Sequence, residues 1–216
     1  MSNQIMICVA LMIACAAFAQ RVSFEEGRPG TVPKGWTVAM THDGGAPKFE
    51  IVAEEGVGRV LAQTSTDNTS GRFPLAILDR TTLVNGSVSV RFKTISGERD
   101  QAAGIVWRYK DPDNYYIVRA NALEDNIVLY KVEGGKRIAL EPVGTPSKTY
   151  GVKKKVAKQT WHALKVSFTG PEFHVFFNGE KVMDVKDGTF PGSGKTGLWT
   201  KADSVTWFDD FQVSKD

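Results

Sequence analysis

The segment 114–121 carries the polar residues best suited to bind a ligand. In an extended strand Tyr115, Arg119 and Asn121 share one face, and the residues between them point to the other. Aromatic rings pack against the C–H faces of sugars, and planar guanidinium and amide groups pair with neighbouring hydroxyls. The pattern therefore predicts a saccharide-binding surface. The alternative is a solvated sheet face on which the arginine has a cross-strand partner.

Residues on either side of this segment extend the predicted surface. Arg108 precedes a tight turn into the strand, and pairing of the two strands could place Arg108 and Arg119 on the same surface, although the sequence does not fix the register. Asn126 follows in the next turn as a further ligand-binding residue. Glu124 is the candidate acid or base, because general acid–base catalysis needs a carboxylate close to a bound hydroxyl. An ordinary exposed glutamate in a hairpin is the alternative.

The C-terminal part of the sequence adds two candidate ligand-binding residues and a candidate metal site. Trp199 precedes a polar stretch that includes Lys201, which suggests a position for both at the rim of the ligand surface. Asp210 lies in the last strand, which we expect to pair near the N-terminal segment that carries Glu25. Calcium prefers several carboxylate and carbonyl oxygens, so Glu25 and Asp210 are predicted to bind a structural Ca²⁺. The alternative is an aspartate that accepts backbone N–H groups.

Several classes of protein have no support in the sequence. It contains no Gly-x-Ser-x-Gly elbow, phosphate-binding loop or dinucleotide fingerprint, so esterase, kinase and dehydrogenase activities are not indicated. The three histidines are far apart and lack the spacing of zinc ligands. The formal net charge is only +3, and the positive excess is concentrated in a lysine cluster at 153–158. We therefore expect no nucleic-acid partner.

Short strands must position these residues. Nearly every segment after residue 45 alternates apolar with polar positions, and turn signals such as Glu133-Gly134-Gly135 and Asn178-Gly179 separate the segments. No long helix is predicted. The pattern favours an all-β jelly-roll sandwich of two antiparallel sheets. Strands are predicted over 48–53, 58–64, 72–78, 86–93, 103–109, 114–121, 126–132, 136–140, 161–168, 172–178, 181–185, 196–200 and 205–213.

The first 19 residues predict export. An apolar run from Ile5 to Phe18 ends in Ala-Phe-Ala, the small-x-small pattern read by a signal peptidase, and it is too short to span a bilayer. Cleavage after Ala19 would remove both cysteines and leave residues 20–216 as one domain in the periplasm or outside the cell. The alternative is a lipoprotein anchored through Cys15.

A series of short motifs resembles one family. The sequence is similar to the concanavalin A-like (laminin G-like) jelly-roll proteins grouped with the 3-keto-disaccharide hydrolases, over almost the whole chain after the signal segment. The motifs that carry the resemblance are Phe24-Glu25-Glu26-Gly27, Pro33-Lys34-Gly35-Trp36, Ala103-Gly104-Ile105-Val106-Trp107-Arg108, Asn114-Tyr115-Tyr116-Ile117-Val118-Arg119-Ala120-Asn121, Trp161-His162-Ala163-Leu164-Lys165-Val166, Gly197-Leu198-Trp199-Thr200 and Phe208-Asp209-Asp210-Phe211.

The resemblance implies a carbohydrate ligand on the concave sheet and, in the enzymes of the family, cleavage of 3-keto-glycosides. This sequence has Ala102-Ala103-Gly104-Ile105 where the enzymes are expected to have Asn-Ser-Gly-Ile, and it lacks the His-Gly and Phe-Arg-Asn motifs of their last strands. We therefore favour a non-catalytic carbohydrate-binding domain. A hydrolase or lyase that uses Arg108 or Arg119 as an electrostatic stabiliser is the second hypothesis, and a structural adhesion domain is the third.

Overall fold

All the regular structure described in this protein is β-strand. The computed structural model describes residues 18–145 and 148–215, and no helix occurs in those residues. These residues therefore contain no helix that is long and apolar enough to cross a membrane. The predicted signal segment and Cys15 lie outside the described residues, apart from Phe18 and Ala19, which form the start of the first strand.

The first of two antiparallel sheets, sheet A, contains eight strands. Its strands follow the order β14-β13-β12-β6-β16-β4-β3, and β1 pairs with β16. The last strand thus pairs with the first one, but Glu25, which we expected in that N-terminal strand, lies in the turn that follows it. The strands of sheet A are β1 (Phe18–Val22), β3 (Phe49–Glu54), β4 (Gly58–Gln63), β6 (Gly86–Ser96), β12 (His162–Thr169), β13 (Glu172–Phe177), β14 (Glu180–Lys186) and β16 (Val205–Lys215).

Sheet B, which also has eight strands, contains most of the candidate residues. Its order is β10-β9-β8-β7-β15-β5-β2, and the short β11 pairs with β9. Its strands are β2 (Trp36–Thr41), β5 (Phe73–Leu83), β7 (Ala102–Asp111), β8 (Asn114–Asn121), β9 (Asn126–Glu133), β10 (Lys136–Leu140), β11 (Val152–Lys153) and β15 (Gly194–Trp199).

The main hydrophobic core lies between the two sheets. Strand alternation sends Ile105 and Trp107 of β7 and Tyr116 and Val118 of β8 into this core, where Trp107 stacks on Phe168 of sheet A. Burial of such large apolar side chains is the main force that holds the two sheets together. The predicted all-β sandwich is confirmed, and so is the predicted split of β8 into two faces.

The connections between neighbouring strands show the predicted turn chemistry. Asn178 and Gly179 both have positive φ values, 50° and 83°, and they join β13 to β14. Gly134 and Gly135 do the same between β9 and β10, with φ of 55° and 78°. These values match the hairpin turn in which both central residues are left-handed. Three strands were not predicted, namely β1, β2 and β11.

Candidate functional site

The outer face of sheet B, which points away from sheet A, is closed by the curl of the sheet. In a flat sheet β10 and β5 would stand about 24 Å apart, at about 4.8 Å per strand. Yet the guanidinium carbon of Arg137 on β10 lies only 4.9 Å from the centre of the Phe73 ring on β5. Thr41 at the end of β2 also donates a 2.6 Å hydrogen bond to the carbonyl of Pro112 in the β7–β8 turn. Strong twist therefore brings opposite corners of the sheet together.

The curl produces a second apolar cluster on this face. Arg137 lies over three aromatic rings at its centre, at 4.6 Å from the ring centre of Tyr130, 4.9 Å from Phe73 and 5.8 Å from Trp199. Such contacts between a cation and an aromatic face stabilise both groups. The other apolar side chains of this cluster are Leu75, Ile77, Ala102, Val106, Tyr115, Ile117, Val128 and Val132.

Four of the predicted site residues meet at the end of this face where β8 runs into β9. The Arg119 side chain is only 2% exposed on the surface. It donates to the side-chain oxygen of Asn126, to Glu124 Oε2 at 2.8 Å and to the Tyr130 hydroxyl at 3.1 Å. Asn121 accepts from the backbone N–H of Glu124 at 3.1 Å, which fixes the turn that carries this glutamate. The local spacing therefore brings Arg119, Asn121, Glu124 and Asn126 into one cluster.

Glu124 is the most exposed acidic group of this cluster. Its side chain is 39% exposed. Burial by itself would raise the pKa of Glu124, but the charge and hydrogen bond of Arg119, the Asn126 amide and the charge of Lys201 outweigh it and hold the pKa below its ordinary value. Glu124 is therefore a carboxylate at neutral pH. In this state it accepts hydrogen bonds, and it has no proton to give as a general acid.

Lys201 joins the cluster through a buried aspartate. Its ammonium nitrogen donates to Asp100 Oδ2 at 2.7 Å, and the Asn121 amide donates to Asp100 Oδ1 at 2.6 Å. Tyr150, which is 45% exposed, bonds the Tyr130 hydroxyl at 2.7 Å on the other side. We define the polar cluster as Asp100, Arg119, Asn121, Glu124, Asn126, Tyr130, Tyr150 and Lys201. It presents a carboxylate, an ammonium group and an aromatic ring at one partly open edge.

Arg108 does not share a surface with Arg119, which corrects the prediction. Alternation along β7 would send its side chain to the outer face, but its φ is +49° and the pairing register shifts after Trp107. This bulge turns Arg108 toward sheet A, over the rings of Phe168 and Phe173. Gly194 of β15 allows the close approach, because a Cβ there would lie 2.3 Å from the Arg108 backbone.

The donors of Arg108 are used by the protein itself. Its guanidinium donates to the carbonyls of Val84 at 3.0 Å, Phe190 at 2.9 Å and Gly170 at 2.6 Å. The residue is 1% exposed, and burial lowers its pKa. Arg108 therefore ties three loops together and has no free donor pointing at the polar cluster.

Trp199 and Tyr115 lie on the predicted face but below its surface. Trp199 is fully buried, with its ring 5.3 Å from that of Phe73, so the expected position at the rim is wrong. Tyr115 is also fully buried, and its hydroxyl lies 2.7 Å from Thr41 Oγ1. Because sheet B curls, both rings are covered by the side chains around them on its outer face. Neither ring offers an open face to a ligand in this arrangement.

The two predicted metal ligands, Glu25 and Asp210, line one depression of about 590 Å³. The carboxylate of Asp210 is bonded by Arg21 and lies 3.5 Å from Arg91, and the Glu25 carboxylate accepts the backbone N–H of Arg59 at 3.2 Å. Residues 18–145 and 148–215 contain no group of three or more His, Cys, Asp or Glu side chains that could hold a metal ion. Calcium at this position stays a prediction.

The outer face of sheet A places a serine, a histidine and an aspartate side by side. Pairing sets Ser167 of β12 opposite His174 of β13, and His174 opposite Asp184 of β14. His174 Nδ1 lies 2.6 Å from Asp184 Oδ1, and Lys181 also contacts this aspartate at 2.9 Å. No hydrogen bond joins Ser167 to His174 in the described residues. The arrangement is a surface hydrogen bond next to the Lys181–Asp184 ion pair, and it lacks the activated nucleophile of a hydrolase.

Comparison with known proteins supports the resemblance. The family model of the 3-keto-alpha-glucoside-1,2-lyase-like domain matches residues 22–214. The chain belongs to this family. No curated protein matches the sequence.

Solved structures with the same fold include domains named for carbohydrate binding. The carbohydrate-binding module CBM66 of Bacillus subtilis is 19% identical, with a TM-score of 0.62, and the match covers 82% of this chain and 94% of the module. Domain 4 of the extracellular arabinanase AbnA from Geobacillus stearothermophilus, solved with arabinotriose, is 14% identical, with a TM-score of 0.54 and 92% coverage of both chains.

A third structure, a protein of unknown function with a galectin-like fold from Bacillus subtilis, is 13% identical, with a TM-score of 0.54. That match covers 91% of this chain and 97% of the other. At these identities the likeness establishes the jelly-roll sandwich and leaves function to the site.

The sequence did not predict four side chains of this region, namely Asp100, Tyr130, Arg137 and Tyr150. Asp100 and Tyr150 are far in sequence from the segment 114–126, and Arg137 lies in an edge strand with no motif around it. A signal for Arg137 does exist, because β10 follows β9 through a tight hairpin. Its register would place Arg137 opposite Val132, on the face of the candidate residues.

Proposed function

We propose that this protein is an exported, non-catalytic domain that binds carbohydrate through the polar cluster at the edge of sheet B. The observation that carries the proposal is the ionised, partly exposed carboxylate of Glu124 between the buried Arg119 and Asn126. A carboxylate fixed in this way accepts hydrogen bonds from two neighbouring sugar hydroxyls. Lys201 supplies a donor beside it, and the Tyr150 ring supplies an apolar face.

Two further observations support this proposal. The chain belongs to a family named for a sugar substrate, and one structure of the same fold is named as a carbohydrate-binding module. The side chains that fix Glu124 are themselves buried and hydrogen-bonded, so the group is held in place before any ligand arrives. Such preorganisation lowers the entropic cost of binding.

Titration of the protein with a panel of neutral and acidic oligosaccharides, followed by isothermal calorimetry, tests the proposal. We expect Glu124→Gln to weaken binding of any ligand found by about tenfold or more, since the amide accepts only at one atom. The matched control is Glu55→Gln, the same change at an exposed position of the β3–β4 turn in sheet A. Equal affinity in the two variants, or no binding across the panel, would contradict the proposal.

The second candidate function is elimination from a 3-keto-glycoside, which the family assignment favours. This reaction removes the proton from C2, next to the ketone, forms a C1=C2 double bond and breaks the bond from C1 to the leaving oxygen, which takes up a proton from water. Glu124 would be the base and Lys201 the cation that stabilises the negative charge on the ketone oxygen. A lowered pKa makes Glu124 a weak base, so we rank this function second.

The two functions separate in one assay. The protein is incubated with a 3-keto-α-glucoside, and release of the leaving group is followed over time. Release that disappears in Glu124→Gln and persists in Glu55→Gln would replace the binding proposal with the enzymatic one. Binding without release supports the non-catalytic function.

A further inference from the structure

Arg137 carries a positive charge on the outer face of sheet B that has no acidic partner in residues 18–145 and 148–215, and Lys153 of β11, which lies opposite Asn126, carries another. Arg119 pairs with Glu124 there, and Lys201 pairs with Asp100. Arg137 lies over Phe73, Tyr130 and Trp199, and its Nη1 atom is buried without a hydrogen-bond partner. A buried guanidinium donor without a hydrogen-bond partner is costly, and a positive charge without an acidic partner can attract an anionic ligand.

The surroundings of Arg137 leave room for one kind of partner. The aromatic rings hold the flat face of the guanidinium, so its edge carries the donors that remain. The residue is partly exposed on the edge strand β10. The Tyr130 ring is close to both Arg137 and Arg119, whose guanidinium carbons lie 4.6 Å and 5.8 Å from its centre. Arg137 is therefore next to the polar cluster.

A carboxylate suits this edge better than a hydroxyl. Two oxygens in a plane accept two parallel N–H bonds from a guanidinium, and the charges neutralise each other. The pairs Arg119–Glu124 and Lys201–Asp100 are neutral, so this part of the face has a net positive charge, which comes from Arg137 and from Lys153, whose ammonium group donates to the Glu124 carbonyl at 3.2 Å. A neutral sugar would leave that charge uncompensated.

We infer that the ligand of this site is an acidic saccharide, and that Arg137 binds the carboxylate of a uronic acid residue in it. The inference rests on the proposed function and narrows it to a class of sugar. Hydroxyls of the same saccharide would meet Glu124 and Lys201, and the uronate would lie over the Tyr130 side of the cluster.

Binding of matched saccharides to the unmodified protein tests the inference. The probes are oligosaccharides of galacturonic, glucuronic or guluronic acid, each compared with the same oligosaccharide after reduction of its carboxyl groups to neutral alcohols. We expect at least one acidic member to bind tenfold or more tightly than its reduced form, with an affinity that falls as salt is raised. Equal binding of both forms would overturn the inference and leave the proposed function standing. Binding of neither would overturn both.

Variants at Arg137 identify the residue responsible. We expect Arg137→Gln to remove the preference for the acidic form, and Arg137→Lys to keep part of it, because lysine retains the charge without the planar fork. Arg80→Gln, the same loss of charge at an exposed position, is the matched control. Circular dichroism establishes that each variant is folded. An unchanged preference in folded Arg137→Gln, or binding of sulfated but not carboxylated saccharides, would contradict the inference.

Discussion

Sheet B holds two buried arginines on neighbouring strands, and their partners differ. Arg108 donates to three backbone carbonyls between the sheets, and Arg119 donates to side chains at an open edge. Both are almost inaccessible, at 1% and 2% exposure. Only the second is linked to a group that a ligand can reach, the Glu124 carboxylate. Burial of an arginine therefore says little about its role until the partners on its donors are known.

The pKa shifts of Arg108 and Arg119 also differ because of their partners. Burial lowers the pKa of Arg108, which has no carboxylate beside it. Burial would also lower the pKa of Arg119, but Tyr130, Glu124 and Tyr150 outweigh it and the pKa is raised. An arginine at a ligand edge keeps its charge because its acidic neighbour compensates it. An arginine in a structural role can instead rely on backbone dipoles.

The largest effect is expected for Arg108→Gln. The change leaves buried carbonyls of Val84, Gly170 and Phe190 without donors, which costs about 3–5 kcal/mol and lowers Tm on the order of 10 °C. Thermal unfolding measures this loss. Ligand affinity below the transition should stay as it was, and a selective loss of affinity in the folded variant would erase the contrast with Arg119.

A smaller loss of stability with a large loss of binding is expected for Arg119→Gln. The Tyr130 hydroxyl keeps its bond to Tyr150, so fewer buried groups are left unsatisfied than at Arg108, and the cost is about 2–3 kcal/mol. Glu124 loses the cation that holds it, so affinity should fall by about tenfold or more. Calorimetric titration at a temperature where the variant is folded checks this, and affinity equal to that of the unmodified protein would remove Arg119 from the site.

The smallest effect, of opposite sign, is expected for Asp209→Asn on sheet A. Burial raises the pKa of Asp209, and repulsion by the Asp210 carboxylate raises it further. The hydrogen bond from the Asp210 N–H and the charge of Arg91 lower the pKa, but the raising effects are larger. A carboxyl whose folded pKa is raised destabilises the fold above that pKa, and the penalty disappears as pH falls below the unfolded pKa, about 3.9.

Thermal unfolding as a function of pH tests the opposite effects expected for a carboxyl with a raised pKa and a carboxyl with a lowered pKa. Asp209→Asn should raise Tm by about 1–3 °C at neutral pH and change it little in acid. Glu124→Gln should lower Tm at neutral pH, because a lowered pKa gives stability that is present above the unfolded pKa and lost as pH falls. Changes in Tm of the same sign in both variants at neutral pH would contradict the opposite pKa shifts of Asp209 and Glu124.

Much of the fold could be predicted because its signals are local. Alternation along the strand decides which residues of β8 point into the core between the sheets, and the Asn178-Gly179 turn decides a hairpin within a few residues. The edge strands β1, β2 and β11 were missed. Their pairing depends on partners far along the chain, such as β16 for β1.

In the candidate site, too, residues close together in the chain could be predicted, and residues brought together from distant parts of the chain could not. Arg119, Asn121, Glu124 and Asn126 lie within eight residues of chain, so a strand and a turn are enough to bring them together. By itself the sequence determined the two faces of each strand and this short polar segment, because both follow from backbone geometry over a few residues.

The tertiary structure decided what the sequence left open. The left-handed backbone at Arg108 moved a predicted site residue to the opposite side of the sheet. The curl of sheet B buried Trp199 and carried Arg137 across to Phe73. The physical reason is that twist accumulates over seven strands, and a bulge breaks alternation at one residue, so neither outcome is written in any local pattern of residue types.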